Sequence, residues 1–125
     1  MQARPFKVGP LALGNATYSD NIFNPGTTTG GVNSTAAPFN ELQFYMRRIR
    51  VTNVTAAPVT FRLFLGATGG NAAGTELAFN MSVPANNYVD LPYGGKPLTP
   101  ADFIVGAASA AASLTIEIEG EIGVA

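Results

Sequence analysis

The densest group of ionisable side chains in the 125-residue chain is a run of carboxylates near residue 120. Glu117, Glu119 and Glu121 are separated by single residues, which places all three carboxylates on one face of a β-strand. Carboxylate oxygens on adjacent strands can ligate Ca²⁺, so one hypothesis is a site for a hard cation. The alternative is charge pairing across strands with the basic cluster Arg47, Arg48 and Arg50. Because opposite charges on paired strands also help to fix register, we predict pairing rather than cation binding.

The sequence lacks the residue types that many enzymatic mechanisms require. The chain contains no His and no Cys, which excludes a Ser-His-Asp triad, a cysteine nucleophile, His-ligated zinc or haem, and a disulfide scaffold. A glycosidase-like carboxylate pair is also unsupported, because nothing distinguishes a proton donor from a base among the glutamates. We therefore expect a protein that is not an enzyme and that uses no cofactor.

The charge balance argues against nucleic acid as a partner. Seven basic and eight acidic residues give a formal net charge of −1, and charged residues make up only 12% of the chain. Nucleic-acid-binding patches combine arginines with aromatic residues, as Arg47, Arg48 and Arg50 do with Phe44 and Tyr45. However, arginines on alternating faces of a strand do not all reach one ligand. No apolar run is long enough for a membrane-spanning helix. We expect protein partners, with neither nucleic acid nor membrane among them.

Two further features have the composition of a ligand-binding site. The Gly-rich segment 66–74 lacks the Gly-Lys-Ser/Thr ending of a phosphate-binding loop, so we interpret it as a connection between strands. Aromatic residues are commonly core or interface residues, but they also stack on sugars. A carbohydrate-binding or fibre-tip module is therefore an alternative function. The candidate stacking residues are Tyr18, Phe23, Phe39, Tyr45, Tyr88 and Tyr93.

Period-2 alternation of apolar and polar residues dominates the chain from Glu41 onward and predicts β-strands. Alternate residues of one run, from Val59 to Leu65, share one face, and so do the members of the next run, Leu77, Phe79, Met81 and Val83. Gly, Pro and Asn residues separate the runs. The predicted strands are 6–13, 42–54, 59–65, 77–83, 88–91, 102–107 and 114–124, with a short extended piece at 18–23.

The run at 42–54 changes its alternation in the middle. Phe44 and Met46 share one parity, whereas Ile49 and Val51 have the other. An extra residue keeps both pairs on one side of the sheet, so we predict a β-bulge at Arg47-Arg48. Short strands at regular spacing, with Gly- and Pro-containing turns, predict an all-β antiparallel β-sandwich of jelly-roll type that occupies residues 1–125 as one domain.

Residues 14–40 differ from the rest of the chain, since they are dense in Gly, Asn, Thr and Pro and show no persistent period. So long a segment without regular structure is uncommon inside a compact domain, and we interpret it as an extended loop or arm. Apolar residues in a polar segment need a surface to bury against. On this ground we predict that the arm contacts a partner through Phe23, Asn24, Pro25 and Phe39.

Four sequence segments follow one another from Arg48 onward: RIRVTNVT, VPANNYVDL, PLTPADFI and AASLTIEIEGEI, with an alternating strand and the Gly-rich loop between the first two. In this order they resemble the small β-sandwich proteins of tailed bacteriophage virions, namely capsid decoration (cement) proteins and related tail or collar components. The resemblance covers about 75 residues and includes no catalytic motif.

The resemblance implies a non-enzymatic virion structural protein that docks on a phage capsid and reinforces it. It implies a homo-oligomer, with a trimer favoured, and the major capsid protein or another virion protein as partner. It also implies the capsid surface of the virion as the location and the host cytoplasm as the place of synthesis. A tail or collar component of the same particle is the alternative within this group.

Overall fold

The computed structural model describes residues 3–14, 18, 20–24, 42–67, 69–98 and 102–124. Within these ranges the chain forms eight β-strands and no helix. No part of the described chain is therefore a helix with the length and apolarity needed to cross a membrane. The strands are β1 (Ala3–Ala12), β2 (Asp20–Phe23), β3 (Leu42–Asn53), β4 (Val59–Gly66), β5 (Glu76–Val83), β6 (Tyr88–Leu98), β7 (Phe103–Ala108) and β8 (Leu114–Val124).

The strands form two antiparallel sheets of four. The first sheet has the order β1-β8-β3-β6, and the second has the order β2-β7-β4-β5. Only β4 and β5 follow each other within one sheet, whereas every other connection crosses between the sheets. Two sheets built from eight strands with this connectivity form a jelly roll. The predicted antiparallel β-sandwich is confirmed.

The core lies between the two sheets and is filled by alternate residues of their strands. Met46 and Ile49 of β3 and Phe61 and Leu63 of β4 are completely buried. Gly106 of β7 lies so close to the backbone of β4 that an added Cβ would overlap the carbonyl oxygen of Arg62. The close approach of β7 and β4 therefore requires a glycine at this position.

The predicted bulge on β3 is present. Relative to β8, the register shifts between Met46 and Arg48, which makes Arg47 the extra residue. Met46 and Ile49, three positions apart, consequently both face the core. The bulge also puts Arg47, Arg48 and Arg50 on the outer side of the sheet, where their side chains pair with other charged groups. The expectation that these arginines alternate between faces was therefore wrong.

Strand β6 is longer than the sequence predicted. It continues past Pro92 and Pro97 to Leu98, whereas the predicted strand ended at residue 91. Prolines are tolerated because β6 is the edge strand of the first sheet, where outward-facing backbone N–H groups need no partner strand. Gly94 and Gly95 have positive φ values of 64° and 100°, and they lie where the register with β3 shifts.

Strand β5 departs from the predicted alternation. Its register with β4 shifts twice, between Phe61 and Leu63 and again between Leu63 and Phe64. One residue of this irregular stretch, Asn80, has a φ of 50°. Phe79 consequently lies on the outer side of the sheet, beside Arg62, and is exposed, whereas Ala78 and Val83 are buried in the core. The sequence had placed Phe79, Met81 and Val83 on one face. Met81 and Val83 keep that face as register partners of Phe61 and Val59, and the irregularity explains why Phe79 leaves it.

Part of the predicted arm belongs to the sandwich. Residues 20–23 form β2, which pairs with β7 at the edge of the second sheet. Phe23 is buried in the core with its ring centroid 6.4 Å from that of Phe44, and the buried Asn24 donates from Nδ2 to the Asp102 carbonyl oxygen at 2.6 Å. Both side chains therefore bury against this chain itself, which corrects their assignment to a partner contact. Pro25 and Phe39 lie outside the described residues.

Candidate interaction surfaces

The outer side of the first sheet is rich in charged side chains. The register of β3 with β8 sets Arg48 opposite Glu119 and Arg50 opposite Glu117. Asp90 of β6 lies opposite Arg50 on the other side of β3. We call this surface the charged face. It consists of Arg47, Arg48, Arg50, Asp90, Glu117, Glu119 and Glu121.

Two arginines of β3 form ion pairs with glutamates of β8, as the predicted charge pairing requires. Arg47 Nη1 lies 2.7 Å from Glu121 Oε1, and Arg48 Nη2 lies 3.1 Å from Glu119 Oε2. Among the described side chains, Arg48 Nε is buried and has no hydrogen-bond acceptor. Exposed ion pairs contribute little to stability, but opposite charges in register disfavour other registers.

Arg50 pairs with Asp90, which lies outside the two charge clusters predicted from the sequence. Arg50 Nε and Nη2 donate to the two Asp90 carboxylate oxygens at 2.7 and 3.0 Å. This side-chain hydrogen bond holds the pKa of Asp90 below its ordinary value and raises the pKa of Arg50. The guanidinium carbon of Arg50 also lies 4.2 Å from the centroid of the Tyr88 ring. The alternation of β6 was the available signal, since it sets Tyr88 and Asp90 on one face.

The hard-cation hypothesis gains no support from this face. The described residues contain no group of three or more Asp, Glu, His or Cys side chains arranged to hold a metal ion. Glu117, Glu119 and Glu121 follow one another along a single strand, so neighbouring carboxylates are about 6–7 Å apart. The structure brings Glu119 and Glu121 to arginines instead.

The outer side of the second sheet has a different composition. Phe64 of β4 and Val105 and Ala107 of β7 are buried, yet they do not belong to the core cluster between the sheets. Phe64 and Val105 are register partners, so they are neighbours on the side that faces away from the core. The second sheet therefore buries apolar side chains on both of its sides.

The Gly-rich segment 66–74 extends from the end of β4 toward the far edge of this sheet. The Gly69 backbone N–H donates to Asn21 Oδ1 of β2 at 2.7 Å, although β7 separates β4 from β2. The Leu65 N–H donates to the Thr75 carbonyl oxygen at 2.9 Å and closes the base of the loop. The loop is a connection between strands, as predicted, and it also ties together distant parts of the second sheet.

A cation–aromatic stack lies beside the edge of the same sheet. The guanidinium carbon of Arg62 is 4.2 Å from the ring centroids of both Tyr18 and Phe79. Arg62 Nε donates to Asn80 Oδ1 at 2.7 Å, which fixes the orientation of the guanidinium. We call the surface around this stack the β5 patch. It consists of Tyr18, Arg62, Glu76 and Phe79.

A buried asparagine connects the two sheets at one end of the sandwich. Asn53, the last residue of β3, donates from Nδ2 to the carbonyl oxygens of Ala57 and Val83 at 2.8 and 3.0 Å. Its Oδ1 accepts hydrogen bonds from the Thr55 backbone N–H and hydroxyl group at 2.8 and 2.7 Å. Val83 belongs to the second sheet, so this side chain bridges the sheets. The Asn-x-Thr sequence after a strand was the available signal, because such residues form side-chain turns.

Comparison with known proteins identifies structures that share the fold of this chain. No protein-family model matches the chain, and no curated protein matches it by sequence. Two structures of the coat protein of Tobacco streak virus do match, one described as a dimer at 2.4 Å resolution and one from a C2 crystal form at 2.1 Å. Their TM-scores are 0.53 and 0.52, and the sequence identities are 17% and 16%. The chain has the fold of a viral coat protein.

The match extends over almost the whole chain. It covers 98% of this chain and 86% and 85% of the two coat-protein chains. At this level of identity the likeness concerns the fold. It agrees with the viral β-sandwich that the sequence resemblance implied, and membership of a tailed-bacteriophage family stays a prediction.

Proposed function

We propose that this chain is a non-enzymatic structural protein of a virus particle. The observation that carries the proposal is the jelly roll, which it shares over 98% of its length with a viral coat protein. The chain's own chemistry supports it. The surfaces described above offer ion pairs, stacked arginines and apolar side chains, which are groups that bind other proteins without covalent chemistry.

The more specific proposal is a cement protein of a bacteriophage capsid. The order of segments from Arg48 onward supports this role, as does the low charge of the surface, since only 12% of residues are charged. In this role the chain, made in the host cytoplasm, forms a trimer, docks on the major capsid protein at the capsid surface and reinforces the shell through many repeated contacts. Tail or collar assembly is the alternative within the same particle.

Electron microscopy of gradient-purified material tests the proposal. The chain is produced alone and is also mixed with purified capsid shells and tails of the virus that encodes it. A cement protein forms small oligomers alone and binds shells at regular positions, whereas a tail or collar component binds tails. A shell-forming coat protein assembles closed particles without help. A monomer that binds neither shells nor tails and forms no closed particles would contradict the proposal.

Carbohydrate binding is the second candidate function, since jelly rolls also occur in lectin domains. Tyr88 supports it, because this aromatic ring is exposed at the start of β6. However, Arg50 is stacked on Tyr88, and Tyr93 packs against the core. A glycan array probed with the wild type and with Tyr88→Ala and Tyr93→Ala separates the candidates. A cement protein gives no signal, whereas a lectin gives a signal that the substitutions remove.

A further inference from the structure

Exposed large apolar side chains concentrate on one strand of the second sheet. Among the described residues there are four of them, and β5 carries two, Phe79 with 55% and Met81 with 36% of its surface exposed. The other two are Val54, in the turn after β3, and Tyr88 of β6. Of these residues, Phe79 lies near the ring of Tyr18, since both rings contact the guanidinium of Arg62. Adjacent apolar groups on a protein surface commonly mark a binding site for another protein.

The backbone of β5 is a poor template for a further strand. β5 is the edge of the second sheet, so one row of its backbone groups faces outward. However, its pairing is interrupted twice, and Asn80 has a positive φ of 50°. Irregularities of this kind protect an edge against strand addition. A partner at this edge therefore binds through side chains.

The β5 patch contains a preorganised arginine. The side chain of Arg62 is held between the rings of Tyr18 and Phe79 and is oriented by Asn80. Aromatic and arginine side chains carry much of the binding energy in protein interfaces. Their fixed arrangement in the free chain lowers the entropy lost on association.

The charges of the β5 patch are self-complementary. Residues 51–89 contain only two charged side chains, Arg62 and Glu76. Neither has an ion-pair partner among the described residues, and the exposed Glu76 carboxylate accepts a hydrogen bond from the Gly74 N–H at 2.7 Å. Glu76 is the register partner of Phe64, two residues from Arg62 on β4, so the two charged residues are separated by about 7 Å along the strands.

We propose that the β5 patch is the surface through which two copies of this chain associate about a two-fold axis. A two-fold rotation brings each residue i to a residue j and each j to i. Antiparallel packing of the two β5 strands then sets Glu76 of each copy near Arg62 of the other. Phe79 of each copy lies near the centre of the contact. The inference rests on the proposed structural role and concerns a contact separate from the trimer, because a two-fold axis does not relate the subunits of a three-fold ring.

Charge reversal tests this geometry directly. In Arg62→Glu both patch charges are negative, and in Glu76→Arg both are positive. Each variant alone repels its own copies, so analytical ultracentrifugation is expected to show at least a 10-fold weaker dimer for each. An equimolar mixture of the two variants is expected to regain dimers, because every cross-contact then joins opposite charges. Failure of the mixture to regain dimers while both variants remain folded would overturn the two-fold arrangement.

A matched pair of aromatic substitutions tests the centre of the contact. Phe79→Ser removes the ring stacked on Arg62, whereas Tyr88→Ser removes a comparably exposed ring stacked on Arg50 outside the patch. We expect Phe79→Ser to weaken the dimer at least 10-fold and Tyr88→Ser to leave it unchanged. Equal effects of both substitutions, or a wild type that is monomeric throughout the concentration series, would overturn the proposal. Circular dichroism spectra and melting curves show that each variant is folded.

The outcomes also separate this contact from the proposed virion role. A chain that dimerises through the β5 patch but binds no particle component would contradict the virion role and keep the contact. If the Phe79→Ser variant assembles into or onto particles as efficiently as the wild type, the proposed virion role stands and the β5 contact is contradicted.

Discussion

The outer sides of the two sheets differ although both sheets have four strands and share one core. On the first sheet, Arg47, Arg48 and Arg50 each face a carboxylate within hydrogen-bonding or ion-pairing distance. On the second sheet, strands β4 and β5 carry one charged residue each, and apolar side chains are buried outside the core. The outer side of the first sheet therefore presents charged groups to water, whereas apolar groups on the outer side of the second sheet are covered by this chain itself, with Phe79 of β5 exposed.

Deleting Arg47 is expected to lower the stability of the fold more than any other change. The bulge at this residue keeps the arginines of β3 on the outer side of the sheet and its apolar residues in the core. Without the extra residue, one pair of core residues has to turn outward, either Ile49 and Val51 or Phe44 and Met46. Exposing Ile49 and Val51 alone costs about 1.5–3 kcal/mol each, which is a large part of a typical total of about 5–15 kcal/mol. We expect no cooperative unfolding transition in a thermal melt followed by circular dichroism.

The control for this deletion is Arg47→Ala, which keeps the residue count and removes one exposed ion pair. We expect it to change the free energy of unfolding by less than about 0.5 kcal/mol. A deletion variant that melts at the same temperature as Arg47→Ala would show that β3 does not need the bulge.

Phe64→Ala sharpens the contrast between the two outer sides. Phe64 faces away from the core but is only 2% exposed, so we expect a loss of about 3–5 kcal/mol in urea unfolding, as for a core phenylalanine. Thr52→Ala, at a half-buried position on the outer side of the first sheet, is expected to cost less than about 1 kcal/mol. Similar mild losses for both would contradict the burial of apolar groups on the second sheet's outer side.

Asn53→Ala removes the side chain that bridges the two sheets. The Val83 and Ala57 carbonyl oxygens each lose a donor, and unsatisfied polar groups of this kind cost about 1–3 kcal/mol in total stability. Urea unfolding measures the loss. Ser82→Ala, at an exposed position near the same end of β5, is expected to stay within about 0.5 kcal/mol of the wild type. If Asn53→Ala behaves like Ser82→Ala, the bridge does not stabilise the sandwich.

The Asp90 pair on the charged face gives the smallest expected effect, and it depends on pH. Because its hydrogen bond with Arg50 lowers the pKa of Asp90 in the folded chain, the pair stabilises the fold above the ordinary aspartate pKa. This stabilisation is lost as the pH falls through the lowered pKa. Asp90→Asn is therefore expected to melt slightly below the wild type at pH 7, with the difference shrinking toward pH 2. A difference that is constant over this range would contradict the linkage.

The sequence predicted one irregular strand and missed another for a definite reason. On β3, the opposite parities of Met46 and Ile49 require an extra residue, so the bulge at Arg47 was visible. On β5, the apolar residues alternate regularly from Leu77 to Val83, and the irregularity is visible only in the structure, from the register shifts and the φ of Asn80. Asparagine tolerates a positive φ, but asparagines are too frequent in this chain for one of them to predict the position of an irregularity.

Two site assignments depended on tertiary pairing and were therefore beyond the sequence. Arg50 lies between Glu117 and Asp90, and only the path of β6 shows that it bonds to Asp90. Phe23 needs an apolar partner, as the sequence indicated, but the pairing of β2 with β7 supplies that partner within the chain. The sequence thus identified which groups need partners and could not identify the partners themselves.

Hydrogen exchange of backbone amides, measured for the dilute monomer and for the associated protein, compares the two edge strands directly. Association through the second sheet slows exchange at residues 77–83 of β5 by at least 10-fold and leaves residues 88–91 of β6 unchanged. Slower exchange at β6 without any change at β5 would contradict assembly through the second sheet.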